Sequence, residues 1–251
     1  MGRYTLEVCA GSLQSVRAAA QGGAQRVELC AALGEGGITP SVGFIREARK
    51  LENLMLHVLI RPRGGDFLYD ADEVVCMEQD IRMAGSCGAD GVVIGALTAD
   101  GRIDKEVCRR LVAAAGEMNV TFHRAFDLCR DPFEALDDVL SLGCNRILTS
   151  GQAATAESGI PLLRELVNRS SGCLTILPGS GVTAVNARRI LEETGAVELH
   201  ASARRPMESA MRYRRAGVSM GAAGTDEYSR KETSSEEVSA LLQAMDGVSG
   251  R

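Results

Sequence analysis

The sequence predicts an α/β fold, a single (β/α)8 TIM-type barrel, on three observations. Eight short apolar runs rich in β-branched residues alternate with amphipathic helical stretches, the pattern of parallel βαβ units. The length, 251 residues, suits one such barrel. Polar residues also gather at the ends of seven of the eight runs, with Gly95 after the fourth run the apolar exception. That clustering favours a barrel over the alternative, a doubly wound open sheet, because distant strands must then converge on one face.

Taken in order, the strands are expected near 4–9, 25–30, 54–60, 89–95, 119–124, 145–149, 173–178 and 196–200. Helical spacing of apolar residues places helices near 12–22, 40–51, 70–87, 104–117, 131–142, 155–170 and 183–193. Thr39-Pro40 reads as a cap followed by proline at the first helical position, and Asp131-Pro132-Phe133-Glu134 as a capping box. Gly22-Gly23, Gly88, Gly143 and Gly195 close helices before the next strand. Residues 201–233 are polar and without a long apolar period, and are expected to be irregular. Ser234 and Glu237 then suggest a capping box, and Val238, Leu241, Leu242 and Met245 follow at helical spacing. A late helix over 234–246 would dock on the barrel. The expected organisation is one domain, with a barrel core over about 4–203 and an extension over about 204–251.

Composition excludes several function classes. The net charge of −5 offers no basic face, and the absence of Trp leaves no stacking platform, so no nucleic-acid partner is expected. No apolar run approaches the roughly 20 residues of a membrane span, so no membrane partner is expected either. Met1-Gly2-Arg3-Tyr4 runs directly into a strand pattern, which leaves no room for a signal peptide. Eight cysteines form no CxxC pair. They read as reduced cytosolic thiols, and Cys76, Cys87, Cys108, Cys129, Cys144 and Cys173 as packing residues.

Three stretches are near copies: Leu6-Glu7-Val8-Cys9, Val27-Glu28-Leu29-Cys30 and Val197-Glu198-Leu199-His200. Residues two apart on a strand point to one side, so each copy projects a carboxylate together with a soft metal ligand. With strand eight closing against strand one, the copies are expected to form a continuous arc of the barrel mouth. Cys9 and Cys30 sit at adjacent strand ends, close enough to share an ion. Soft thiolates select Cu(I) or zinc, and His200 or His123 could add a third ligand. Two buried inert thiols are the alternative. The charges of Glu7, Glu28 and Glu198 need partners, for which Arg26, Arg61 and Arg124 are the candidates. His57 reads as structural.

A second theme points to catalysis. His123 could move protons near neutral pH, with Glu28 and Asp127 as further catalytic candidates. Arg61, Arg63 and Arg124 would supply charge to an anionic substrate. Ser150, Gly179 and Gly181, in turns after late barrel strands, would cradle it with backbone N–H groups.

Several long motifs carry a resemblance. They are Leu6–Cys9, Arg26–Cys30, Glu35-Gly36-Gly37-Ile38-Thr39-Pro40-Ser41 and Ile60-Arg61-Pro62-Arg63-Gly64-Gly65-Asp66-Phe67. Gly91–Leu97, Thr121-Phe122-His123-Arg124-Ala125-Phe126-Asp127, Leu148–Gly151 and Glu198–Ala203 follow in order. In these motifs, from Leu6 to about Gly221, the chain resembles the CutC family of copper homeostasis proteins. The resemblance implies a TIM-type barrel, a cytosolic location, a homo-oligomer and a link to copper handling. Cys9 and Cys30 stand where Cu(I) ligation would be proposed. Ser180 departs from the family, whose members often carry a third glycine there. Two functions are therefore expected. One is a cytosolic copper homeostasis protein binding copper, as Cu(I), at the barrel mouth. The other is a TIM-barrel isomerase, lyase or hydrolase acting on a small phosphorylated or carboxylated metabolite. Copper needs the thiols and leaves the arginines unexplained, whereas catalysis does the reverse.

Overall fold

A computed structural model describes residues 4–218, 220 and 226–248; Met1–Arg3 and Gly221, where two of the sequence readings fall, lie outside them. The barrel strands are β1 (Thr5–Ala10), β2 (Arg26–Leu29), β3 (Met55–Leu59), β4 (Gly91–Ile94), β5 (Asn119–Phe122), β6 (Arg146–Thr149), β7 (Thr175–Pro178) and β8 (Glu198–Ala201). Between them run α1 (Leu13–Gly22), α2 (Val42–Arg49), α3 (Ala71–Ser86), α4 (Lys105–Ala115), α5 (Pro132–Ser141), α6 (Ile160–Ser170) and α7 (Ala187–Thr194). All sheet pairings in the barrel are parallel, in the order β7-β6-β5-β4-β3-β2-β1-β8. The barrel is thus nearly closed, with its seam between β7 and β8. There Gly179 lets the backbone approach, since a Cβ would stand 2.6 Å from Leu148 Cδ1 and 3.2 Å from His200 Cβ.

Strand alternation divides the interior into two unlike regions. Outward residues such as Val8, Leu29, Val58, Ile94, Phe122 and Leu199 are buried against the helices and form the main apolar core. Inward residues are polar for much of the barrel height: Glu7, Arg26, His57, Thr121 and Glu198 are all buried in the lumen. A small apolar patch of Cys9, Cys30, Leu59 and Val93 lies above them.

Several element boundaries differ from the sequence reading. Pro40 is not the first residue of α2; Ser41 caps that helix by accepting from Phe44 N–H. The Thr39 hydroxyl instead bridges to the Arg61 backbone, 3.0 Å from its nitrogen and 3.2 Å from its oxygen. The Asp131 carboxylate caps α5 through Phe133 N–H and Glu134 N–H, while Glu134 turns to Arg102 and Arg130 rather than completing a box. Helix α6 starts at Ile160 because residues 155–159 form a turn that sets Gly159 against Ser150. Helix α7 starts at Ala187, after a turn in which Thr183 N–H donates to Asn186 Oδ1.

The segment after β8 is not wholly irregular. It carries an antiparallel pair, β9 (Arg204–Glu208) and β10 (Ser229–Thr233). Much of the pair faces solvent, so no alternation of apolar residues marks it in the sequence. Buried Glu232 fastens β10 to α1, accepting from Ser12 Oγ and Ser15 Oγ at 2.5 and 2.6 Å. The late helix α8 (Ser235–Asp246) is present, capped by Ser234, which accepts from Glu237 N–H. It packs on α1 so closely that a Cβ at Gly22 would lie 2.5 Å from Val238 Cβ.

The charged lumen generates a stability test. Arg26 is fully buried and bridges two carboxylates. Arg26→Leu leaves both carboxylates without that partner and is expected to cost about 3–5 kcal/mol. Urea unfolding of both proteins measures it. A loss below about 1 kcal/mol would show that the bridge contributes little.

Candidate functional site

The register of the barrel decides how the three repeated motifs meet. Glu7 stands opposite both Arg26 and His200, Cys9 opposite Glu28, and Thr5 opposite Glu198. Each copy is therefore displaced two residues from its neighbour, as strand stagger in a barrel requires. The copies do lie on the neighbouring strands β8, β1 and β2, but stepped along the barrel axis. A carboxylate of one copy faces the metal-ligand side chain of the next: Glu7 faces His200, and Glu28 faces Cys9.

The lower layer is a closed charge network. Arg26 Nε lies 2.5 Å from Glu7 Oε2, and Arg26 Nη2 pairs with Glu198 Oε2. Arg146 Nε reaches the same Glu198 oxygen at 3.0 Å. His57 Nδ1 lies 3.8 Å from Glu7 Oε2, consistent with a structural role beneath the site. Arg61 and Arg124 take no part, so Arg146 is the partner that sequence reasoning missed. Its inward parity with Leu148 on β6 was the available signal.

Above this layer, one ligand atom each from Cys9, Glu28 and His200 lie within 4.8 Å of one another, all buried. His200 Nδ1 hydrogen-bonds Glu7 Oε1 at 2.8 Å, which leaves Nε2 facing the site, 3.8 Å from Glu28 Oε2. Cys30 stands outside the triplet and donates its thiol hydrogen to Glu28 Oε2 at 3.3 Å. Burial would raise the Glu7 carboxyl, but Arg26 and His200 hold it well below the usual carboxylate range. Burial pushes Glu28 up, and the negative charge of Glu7 adds to the effect. Burial, Glu28 and Cys9 together push the Cys30 thiol well up. For His200 burial acts downward, but hydrogen bonds to Cys9 and Glu7 and the charge of Glu28 raise it well above its ordinary value.

The donors suit a soft or borderline ion. A thiol, an imidazole and a carboxylate converge, and the imidazole is oriented by a second carboxylate behind it. Such a carboxylate–histidine pair fixes the ring and raises its basicity as a ligand.

The same residues form one wall of a cavity of about 580 Å³ at the barrel mouth. Cys30, Arg61, His123, Arg124, Asp127 and Gly181 line it as well. Arg61 is buried there, but its guanidinium donates to the carbonyls of Glu35, Gly37 and Gly65 and so braces the surrounding loops. Arg63 is not part of the lining; it pairs with Glu73 and Asp66. Arg124 donates to Asp127 Oδ2 at 2.7 Å and to Ser150 Oγ. The Asp127 carboxylate also accepts from Thr149, Ser150 and Gln152, so it organises the turn after β6. Ser150 is fully buried beneath that turn, and Gly179 lies at the seam rather than in the cavity wall.

His123 is 5% exposed and its ring lies against Phe67, with centroids 4.9 Å apart. Ala125 N–H donates to its Nδ1, so in the neutral ring the hydrogen sits on Nε2. Burial, with the charge of Arg61, lowers its pKa to about 3. At neutral pH this imidazole is therefore a hydrogen-bond donor. The glycine at the end of β4 makes room for it: a Cβ on Gly95 would lie 2.5 Å from His123 Cε1. Phe67 and Arg204 also line the cavity, and neither was singled out as a site residue from sequence. Arg204 continues the inward parity of Glu198, His200 and Ser202.

The model of the CutC family matches residues 4–205. A CutC family protein of Chromobacterium violaceum is 56% identical over 241 residues, covering 96% of this chain and 98% of that protein. The copper homeostasis protein cutC homolog of Homo sapiens is 47% identical, covering 95% of this chain and 88% of its own length. The crystal structure of CutC from Streptococcus agalactiae superposes with a TM-score of 0.76 at 35% identity, covering 79% of this chain and 98% of that one. Thiamine phosphate pyrophosphorylase from Pyrococcus furiosus matches at a TM-score of 0.60 and 16% identity, covering 99% of this chain and 98% of its own, a likeness of fold alone. Among the described residues no helix is long and apolar enough to cross a membrane.

The buried imidazoles set a pH test. Burial lowers His57 to about 4 and His123 to about 3, so between these values and about 6.5 only the unfolded chain takes up their protons. They lower stability as pH falls through that window. His200 is raised, so its contribution is complete below about 6.5 and lost as pH rises through its folded value. Urea unfolding across pH 4–6.5 is expected to show stability falling with acid. His57→Gln should remove up to about 3 kcal/mol of that pH dependence. An unchanged slope in the variant would show that His57 is not held neutral.

Proposed function

The chain belongs to the CutC family, and from that premise we propose that it is a cytosolic copper homeostasis protein that binds copper as Cu(I) at the barrel mouth. The observation that carries this reading is the convergence of Cys9, Glu28 and His200 within 4.8 Å. Copper is cargo in this scheme. Cys9 Sγ and His200 Nε2 would be its first donors, the imidazolium giving up its Nε2 proton to solvent as the metal enters, since thiolate and imidazole both suit Cu(I) better than carboxylate does. Cys30 joins by losing its thiol proton to the Glu28 carboxylate, whose oxygen lies 3.3 Å away. The proton stays in the site as the metal takes the thiolate. Glu7 holds the His200 ring in place from behind. All eight cysteines are unpaired, which accords with a reducing compartment. Self-association is part of the same reading, supported by exposed Leu128, Met211 and Tyr213.

Anaerobic titration with Cu(I) against a competing chelator tests the site. Cys9→Ser is expected to weaken binding by about 100-fold or more, and Cys30→Ser by less. Glu7→Gln, which loosens the hold on His200 and removes the charge that pairs with Arg26, should cost about 10–100-fold. Equal affinity in wild type and the Cys9→Ser/Cys30→Ser double variant would remove the thiol site.

A further inference from the structure

We infer that the same cavity binds a small organic anion, its phosphate or carboxylate gripped by Arg204 and a neutral oxygen of the same molecule held by His123. This goes beyond copper binding and does not depend on it. The cations expected to hold an anion are already engaged. Arg61 is spent on three carbonyls, Arg63 lies outside the cavity and Arg124 is paired with Asp127. Arg61 Nε is likewise buried without an acceptor, but both Nη atoms of Arg61 are fixed by backbone carbonyls, whereas Arg204 carries no such brace among the described residues. Arg204 lines the cavity at the exit of β8, its Nε is buried, and that nitrogen has no acceptor among the described residues. Its neighbour Arg205 is exposed and paired with Glu237 at 2.5 Å.

The second orphan is on the same cavity. His123 Nε2 is buried with no hydrogen-bond partner, and the Ala125 contact to Nδ1 makes it a donor. Leaving a buried donor unpaired is costly, so such groups in a cavity wall call for an acceptor from outside the chain. A guanidinium supplies a planar fork that matches phosphate or carboxylate oxygens. A neutral imidazole N–H complements an uncharged carbonyl or hydroxyl oxygen. The volume, about 580 Å³, is that of a small-molecule site. The turn after β7 and the end of β8, which carry Gly181 and Arg204, are also where barrels of this class commonly hold phosphate.

The chain has only three histidines, so its imidazole proton resonances are few enough to follow singly. Full-length protein is freed of metal with chelator, and the His123 resonance is identified by its loss in His123→Gln. It is then titrated separately with glycerol 3-phosphate and with pyruvate. The expected result is a saturable shift with at least one probe, and the probe that works distinguishes a phosphate ligand from a carboxylate. Arg204→Gln should weaken the binding at least tenfold, and Arg204→Lys by less. Arg205→Gln should bind as wild type. No saturable shift with either probe overturns the inference. So does undiminished binding by Arg204→Gln, or equal weakening by Arg205→Gln, which would mark a diffuse charge effect. Because metal is absent throughout, failure here leaves the copper reading untouched, and failure of copper binding leaves this one.

Discussion

The Arg26 guanidinium, held between Glu7 and Glu198, is the interaction on which the rest of the site stands. It joins side chains from β2, β1 and β8 across the barrel lumen, where an unpaired charge would be prohibitive. It keeps Glu7 ionised, and ionised Glu7 orients His200. The position of the imidazole in the upper layer is thus set by an ion pair one layer below. Apolar packing between sheet and helices holds the barrel together from outside. The ion network gives the lumen its internal order.

The three near-identical motifs acquire their meaning from stagger. If the strands were level, carboxylates would crowd together, as would the sulfur and nitrogen ligands. A displacement of two residues per strand places unlike groups side by side, Glu7 with His200 and Glu28 with Cys9. Each carboxylate then serves the ligand of the next copy. One repeated motif produces a dry ionic floor and a softer, sulfur-bearing upper layer, facing a cavity whose opposite wall carries His123 and Arg124.

The eight strands, the inward parity and the late helix were legible because each depends on local pattern. The pairing of strand eight with strand one was legible from closure. Stagger was not, since it is a property of the closed barrel and no single strand encodes it. The fate of Arg61 was hidden for a similar reason: two carbonyls from a loop distant in sequence, Glu35 and Gly37, join the nearby Gly65 carbonyl in absorbing its charge. Asp127 looked like a free carboxylate, yet five donors from Arg124, Thr149, Ser150 and Gln152 converge on it. Arg204 was visible by parity, but the polar, solvent-facing hairpin beginning there gave no strand signal.

The contact between Gly22 and Val238 bears on how the chain is made. Helix α1 leaves the ribosome early, and α8, its neighbour in the finished barrel, follows only after the other seven barrel strands. At ordinary translation speeds the flank of α1 waits roughly ten to forty seconds for its cover. Through that interval the nascent barrel presents an apolar stripe to the cell, covered only when α8 arrives. A chaperone that shields α1, or a pause after the hairpin, would therefore act on yield without altering the finished protein.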